Sequence, residues 1–132
     1  MENIGIIESL SVLYVEDDDF MRESIGRFLK RRVGELRLAA NGAEGLSYVL
    51  EDKPQLIITD IKMPKMDGIE MIHEIRKEYS KEDLPIVVVS AYNDDEHHTD
   101  EADIYVNKPI AISDLYDVIK KLAYEHNEGK SV

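Results

Sequence analysis

The chain contains no cysteine, and its basic residues are few: 16 Lys and Arg stand against 28 Asp and Glu in 132 residues, a formal net charge of -12 at pH 7. Without cysteine there is no disulfide framework and no thiolate chemistry, which agrees with a reducing compartment and an expected cytoplasmic location. So large an acidic excess repels nucleic-acid phosphates and anionic membranes, so direct nucleic-acid binding and membrane association by this chain are not expected. Long apolar runs are missing too. Crossing a bilayer takes about 20 consecutive apolar residues. The opening Met1-Glu2-Asn3-Ile4-Gly5-Ile6-Ile7-Glu8 has neither such a run nor a basic leader, so no span and no secretory signal are expected. What is present is ordinary: 43% hydrophobic and 33% charged residues, enough for one core in one soluble domain.

The most informative stretch is Leu56-Ile57-Ile58-Thr59-Asp60-Ile61-Lys62-Met63-Pro64-Lys65-Met66-Asp67-Gly68, where an apolar run of strand length ends on a carboxylate. The run does not alternate, so it reads as a strand covered on both faces, as in a parallel sheet with helices above and below. Ligands of such sheets sit outside the carboxyl ends of the strands, which makes Asp60 a candidate site residue. Pro64 and Gly68 punctuate the turn into the next helix.

Three other strand tips supply what one carboxylate lacks. Ser11-Val12-Leu13-Tyr14-Val15 ends in Glu16-Asp17-Asp18-Asp19, Pro85-Ile86-Val87-Val88-Val89 ends in Ser90-Ala91, and Ile104-Tyr105-Val106-Asn107 ends in Lys108-Pro109. At one edge of one sheet these tips gather acids, a hydroxyl and an amine. Clustered carboxylates repel one another, and a hard divalent cation relieves the repulsion; Mg2+ suits one or two carboxylates with water and phosphate oxygens. An amine and a hydroxyl beside it suit an anion.

These tips, in this order and each behind an apolar strand, resemble a response-regulator receiver domain, the phospho-acceptor half of bacterial two-component signalling. The resemblance runs from about Leu10 to about Ala123. It implies a flavodoxin-like, doubly wound α/β fold with a five-stranded parallel sheet in the order 2-1-3-4-5. It further implies that Asp60 takes a phosphoryl group from a sensor histidine kinase or a histidine phosphotransfer domain. The metal set would be Asp17 directly, Glu16 mostly through water, Asp60, and the main-chain carbonyl of Lys62. Ser90 and Lys108 would bind phosphoryl oxygens, and Ser90 with Tyr105 would form the switch that alters an output surface for a downstream effector. Such a protein is a signalling phospho-acceptor and not an enzyme in the ordinary sense, although it promotes its own aspartyl phosphorylation and dephosphorylation. Lys62 and Tyr92 occupy the two positions that tune phosphoryl lifetime in the family, and both are bulky.

The chemistry explains why such residues are needed. A carboxylate attacking a phosphoryl group must approach negative oxygens, so catalysis comes from positioning and charge neutralisation. Asp18 and Asp19 have a plainer reading as an acidic cap on the first helix of the domain. Lys108 alone would read as a surface lysine and Tyr105 as a packed strand aromatic. Pro109 invites a cis peptide after Lys108. A pseudo-receiver, an interaction module that never carries phosphate, is the alternative; the complete set of acids, Ser90 and Lys108 speaks against it. A flavodoxin-like electron carrier would want a hydroxyl-rich loop in place of Glu16-Asp17-Asp18-Asp19, and a haloacid-dehalogenase-type phosphatase would want an acid where Lys62 stands.

Along the chain, residues 1–9 read as a lead-in that frays, with packing of Ile4, Ile6 and Ile7 on the domain's edge or on a partner as the other reading, 10–124 as the receiver domain, and 125–132 as a disordered polar tail. Met21, Ile25, Phe28 and Leu29 mark one face of a helix starting near Asp19, with Arg22, Arg27, Lys30, Arg31 and Arg32 on a solvated face. Ala43, Leu46, Val49 and Leu50 are expected inward on the next helix, then Ile69, Ile72, Ile75 and Tyr79, and finally Ile112, Leu115, Ile119 and Leu122 behind a Ser113 cap. His73 reads as a solvated helix residue and not as a phosphodonor.

One segment departs from the family. Eighteen positions separate Ser90 from Lys108, about one helical turn, or ~3.6 residues, fewer than usual. Asn93 to Asp103 offers Ala102 as its only apolar residue, so the fourth receiver helix is expected to be shortened, displaced or disordered. His97 and His98 there read as solvated and not as metal ligands.

Overall fold

Three apolar runs without alternation become the middle of a parallel sheet. They are β1 (Ser11–Val15), β3 (Leu56–Thr59) and β4 (Ile86–Ser90), with β2 (Glu35–Ala39) and β5 (Ile104–Asn107) at the edges. The order is β2-β1-β3-β4-β5, all neighbours parallel, as the resemblance implies. The computed structural model describes residues 2–91 and 99–130, except for the side chains of residues 2–4 and 126–130.

Side chains alternate across a strand, so each strand feeds two cores. Val12 and Tyr14 of β1 meet Ile25, Leu29, Leu115 and Ile119 on one side, while Leu13 and Val15 meet Val49, Ile72 and Ile75 on the other. The first side is covered by α1 (Glu2–Glu8), α2 (Asp19–Lys30) and α5 (Ile112–Lys130), and the second by α3 (Gly42–Glu51) and α4 (Gly68–Arg76).

The helices start where side chains satisfy free backbone N–H groups. Asp18 accepts from Met21 N, Asn41 from Glu44 N, and Asp67 from Glu70 N with Glu70 answering Asp67 N in a capping box. Each such cap contributes about 1 kcal/mol. Asp18 is therefore a cap, as its plainer reading had it.

Four expectations are corrected. The lead-in forms α1, whose Ile7 is buried against the α2 and α5 side of the core; Gly34 allows the close approach, since a Cβ there would lie 2.6 Å from Glu8 O. The tail does not begin at residue 125, because α5 continues through Lys130. Ser113 lies inside α5 and does not cap it, the helix having begun at Ile112. On α3, Ala43 and Leu50 face solvent, and Gly42 and Gly45 face inward, where a Cβ on Gly45 would stand 2.8 Å from Met71 Sδ.

Between β4 and β5 the described residues contain no helix: Thr99 to Asp103 are turns and bends leading into β5. This agrees with a shortened crossover. Tyr92 to His98 lie outside the described residues, and with them the readings of Tyr92, His97 and His98.

Candidate functional site

The sheet brings four strand ends to one edge. Val15 pairs with Thr59 across β1 and β3, so the next residues, Glu16 and Asp60, lie side by side. Ser90 pairs with Asn107 across β4 and β5, which places Lys108 one step beyond, and Lys108 N donates to Ser90 O at 2.7 Å. The Lys108–Pro109 peptide is cis, as expected from the sequence.

Asp60 stands at the centre, 9% exposed. Its Oδ1 accepts from Ile61 N at 2.7 Å and its Oδ2 from Lys108 Nζ at 2.8 Å. Lys108 also donates to Glu16 Oε1 at 3.1 Å, so one ammonium bridges two carboxylates from two strands. Glu16 is 1% exposed, and its Oε2 accepts from Asp18 N at 3.1 Å. Asp17 is exposed at the rim of the same edge. Ser90 is buried at the tip of β4.

The electrostatics follow from this crowding. Burial pushes the Glu16 carboxyl above its ordinary value; the Asp18 N–H draws it back, Asp60 raises it further, and Lys108 opposes. For Lys108, burial pulls the ammonium down, but bonds and charge from Asp60 and Glu16 reverse that and leave it raised. Both groups thus hold the proton more firmly than in water.

The loop after Asp60 folds back tightly. Met66 N donates to Pro64 O and Gly68 N to Ile61 O, each at 2.7 Å, and Lys65 takes the left-handed φ of 70°. Gly68 is needed where it stands, because a Cβ there would lie 2.1 Å from Asp60 O. Lys62 sits exposed on this loop, two residues after Asp60.

A set of oxygen donors results. One carboxylate oxygen from each of Glu16, Asp17 and Asp60 lies within 4.8 Å of the others. Three carboxylates against one ammonium leave a formal deficit of two positive charges, so a hard divalent cation fits both donor type and charge.

A family model for the response regulator receiver domain matches residues 12–120. The chain belongs to this family. Among its relatives, response regulator MprA of Mycobacterium leprae is 33% identical over 117 residues, covering 86% of this chain and 50% of that protein. Transcriptional regulatory protein AfsQ1 of Streptomyces coelicolor is 36% identical over 104 residues, covering 76% and 45%. This receiver thus spans about half the length of the curated relatives it matches. Among solved structures, a CheY-like response regulator receiver domain protein from Methanospirillum hungatei superposes with a TM-score of 0.84 at 28% identity, covering 92% of this chain and 99% of that one. TrrA from Thermotoga maritima, solved in complex with Mg2+-BeF, gives a TM-score of 0.73 at 34% identity, covering 84% and 96%.

Within the receiver, the structure brings Glu16, Asp17, Asp60 and Lys108 into one cluster, with Ser90 at the neighbouring tip. Tyr105 sits in β5, half-buried, and its hydroxyl donates to Thr99 O at 2.8 Å. His73 is exposed, with Nδ1 3.2 Å from Glu101 Oε1, in keeping with the solvated reading. No helix among the described residues is long and apolar enough to cross a membrane.

Sequence reasoning missed two supporting residues. Arg22 is not on the solvated face: its guanidinium donates to Glu16 O at 2.7 Å, fixing the backbone between the two acids. Tyr14, 2% exposed, places its hydroxyl 3.5 Å from Glu16 Oε1. Residues two apart on a strand share a face, and that signal in Tyr14-Val15-Glu16 could have found it.

Proposed function

We propose that this receiver accepts a phosphoryl group on Asp60 from a phosphohistidine of a sensor histidine kinase or histidine phosphotransfer domain, with Mg2+ as cofactor, and passes the signal to an effector. The observation that carries the reading is the Lys108 ammonium held 2.8 Å from Asp60 Oδ2 beside the three-carboxylate cluster. In the transfer, a carboxylate oxygen of Asp60 forms a bond to phosphorus. The phosphorus–nitrogen bond breaks, its electron pair leaves with the imidazole, and the product is an acyl phosphate.

Glu16, Asp17, Asp60 and the main-chain carbonyl of Lys62 are the residues that would hold Mg2+, which when bound supplies positive charge to the phosphoryl oxygens. Lys108 neutralises another oxygen, and the Ser90 hydroxyl donates to a third. Such fixed charges lower the barrier without reorganisation at the moment of reaction. Tyr105 and Ser90 form the switch. Lys62 shields the phosphoryl group from water, so Lys62→Ala shortens its lifetime. A kinase donor and the net charge of -12 support a cytoplasmic location without direct nucleic-acid contact.

The test is phosphotransfer from a phosphorylated kinase. Asp60→Asn abolishes labelling and Asp17→Ala reduces it through loss of metal. A wild-type chain that takes no label from any kinase or from acetyl phosphate overturns the reading and leaves a phosphorylation-independent interaction module.

A further inference from the structure

Arg76, the last residue of α4, is the most heavily bonded arginine among the described residues, with its side chain 7% exposed. Its Nε donates to Glu101 O at 2.8 Å, and its NH1 group reaches Leu84 O at 2.7 Å and Ser80 O at 3.1 Å. Its NH2 group meets Asp103 Oδ1 at 3.2 Å. One guanidinium therefore ties the loop after α4 to the β4–β5 crossover. Burial pushes its pKa down, opposed by Asp103 and Glu101, and a charge so placed persists because every acceptor around it is oriented.

The crossover it holds carries the anchor of Tyr105. Asp103 Oδ1 also accepts from Ile86 N at 2.7 Å, locking the start of β5 to the start of β4. Glu101 N donates to Thr99 Oγ1 at 3.1 Å, and Thr99 in turn offers Tyr105 both its N–H, at 2.5 Å, and its carbonyl, at 2.8 Å. At its other end α4 begins on Gly68, bonded to the residue after Asp60. A nine-residue helix thus has Asp60 at one end and the Tyr105 anchor at the other.

We propose that Arg76 is a positioning residue of the switch: it fixes the end of the crossover that bears Thr99, and so sets where the Tyr105 hydroxyl rests. The proposal rests on the reading of Tyr105 as the switch aromatic. Lys cannot substitute for Arg, because a single ammonium cannot span acceptors on two elements as the planar fork does.

Two variants test it. Arg76→Lys keeps the charge and loses the fork. Asp103→Asn keeps an oxygen for Ile86 N–H and loses the ion pair. Amide exchange at Thr99 and Glu101, and the Tyr105 ring-carbon resonance identified by its loss in Tyr105→Phe, are followed with and without beryllofluoride as phosphoryl mimic. In Arg76→Lys, exchange at both amides rises about tenfold or more and the Tyr105 resonance moves, while Mg2+ affinity stays within about twofold of wild type, with the same changes smaller in Asp103→Asn. Unchanged exchange and an unmoved Tyr105 resonance in both variants overturn the proposal. If wild type neither labels nor responds to the mimic while Tyr105 still moves in Arg76→Lys, the phospho-acceptor reading fails and takes the switch with it, leaving only the placement of Tyr105 by Arg76.

Discussion

Lys108 and Asp60 are 48 positions apart in the chain, yet the ammonium of one lies 2.8 Å from Oδ2 of the other. The parallel sheet makes the meeting, since strands β3, β4 and β5 end together and each carries its tip residue to the same edge. The same ammonium meets Glu16 from β1, so Lys108 occupies the space between the acids before any phosphoryl group arrives. Its position makes it a rival of a cation and a partner of an anion.

That double character gives a prediction for Lys108→Ala. Removing a donor aimed at a developing oxyanion costs on the order of 100-fold in rate, so aspartyl phosphorylation by acetyl phosphate slows by about that factor. Mg2+ affinity, by contrast, holds or rises, because the variant no longer has an ammonium competing for Asp60 and Glu16. Titration calorimetry beside a labelling time course separates the two. Parallel loss of metal affinity and labelling contradicts this division of roles.

Stability should depend on pH and metal together. Glu16 has its folded pKa raised above 4.5, so its contribution is present below that value and is lost as pH rises through the raised one. Lys108, raised above 10.5, keeps its contribution across the neutral range. The Glu16 contribution to the metal-free protein therefore falls as pH climbs above 4.5, whereas a cation favours the ionised acids, so the rise in Tm on adding Mg2+ grows over the same interval. Melts at about pH 5 and about pH 7.5, with and without Mg2+, check this. A larger Mg2+ effect at the lower pH contradicts it.

Gly68→Ala should damage fold and site at once. Its Cβ would meet Asp60 O at 2.1 Å and Ile61 Cα at 3.0 Å, both backbone atoms that cannot swing aside. Displacing them costs roughly 1–3 kcal/mol by analogy with overpacked cores, and it moves Asp60 relative to Lys108. Chemical denaturation shows the first effect and slower labelling at saturating Mg2+ the second. Gly68→Ala with wild-type stability and rate would mean that the loop yields freely.

Much of this was legible in the residues. Val12–Val15, Leu56–Ile58 and Ile86–Val89 have no alternation because both faces are covered, and the structure makes each a buried strand. The polar residues at the tips of these strands and of β5 stand out for the same reason, and the fold gathers Glu16, Asp60 and Lys108 into one cluster with Ser90 at the neighbouring tip. What escaped depends on approach and not on polarity. Gly42 and Gly45 mark the inward face of α3 by being small, which a count of apolar side chains cannot register. The seven residues of α1 are too few to display a helical period, and the burial of Ile7 depends on α5 and on the close approach at Gly34, both distant in sequence. Nothing local in the sequence marks Arg76, because its partners Leu84, Glu101 and Asp103 are brought to it by the fold alone.

The site of phosphorylation is tested most directly by intact-protein and peptide mass spectrometry after incubation with acetyl phosphate. The expected result is a single phosphoryl group on the peptide containing Asp60, formed with Mg2+, lost with a chelator and absent from Asp60→Asn. A phosphoryl group on any other residue, or equal labelling of Asp60→Asn, would contradict the assignment of Asp60 as the acceptor.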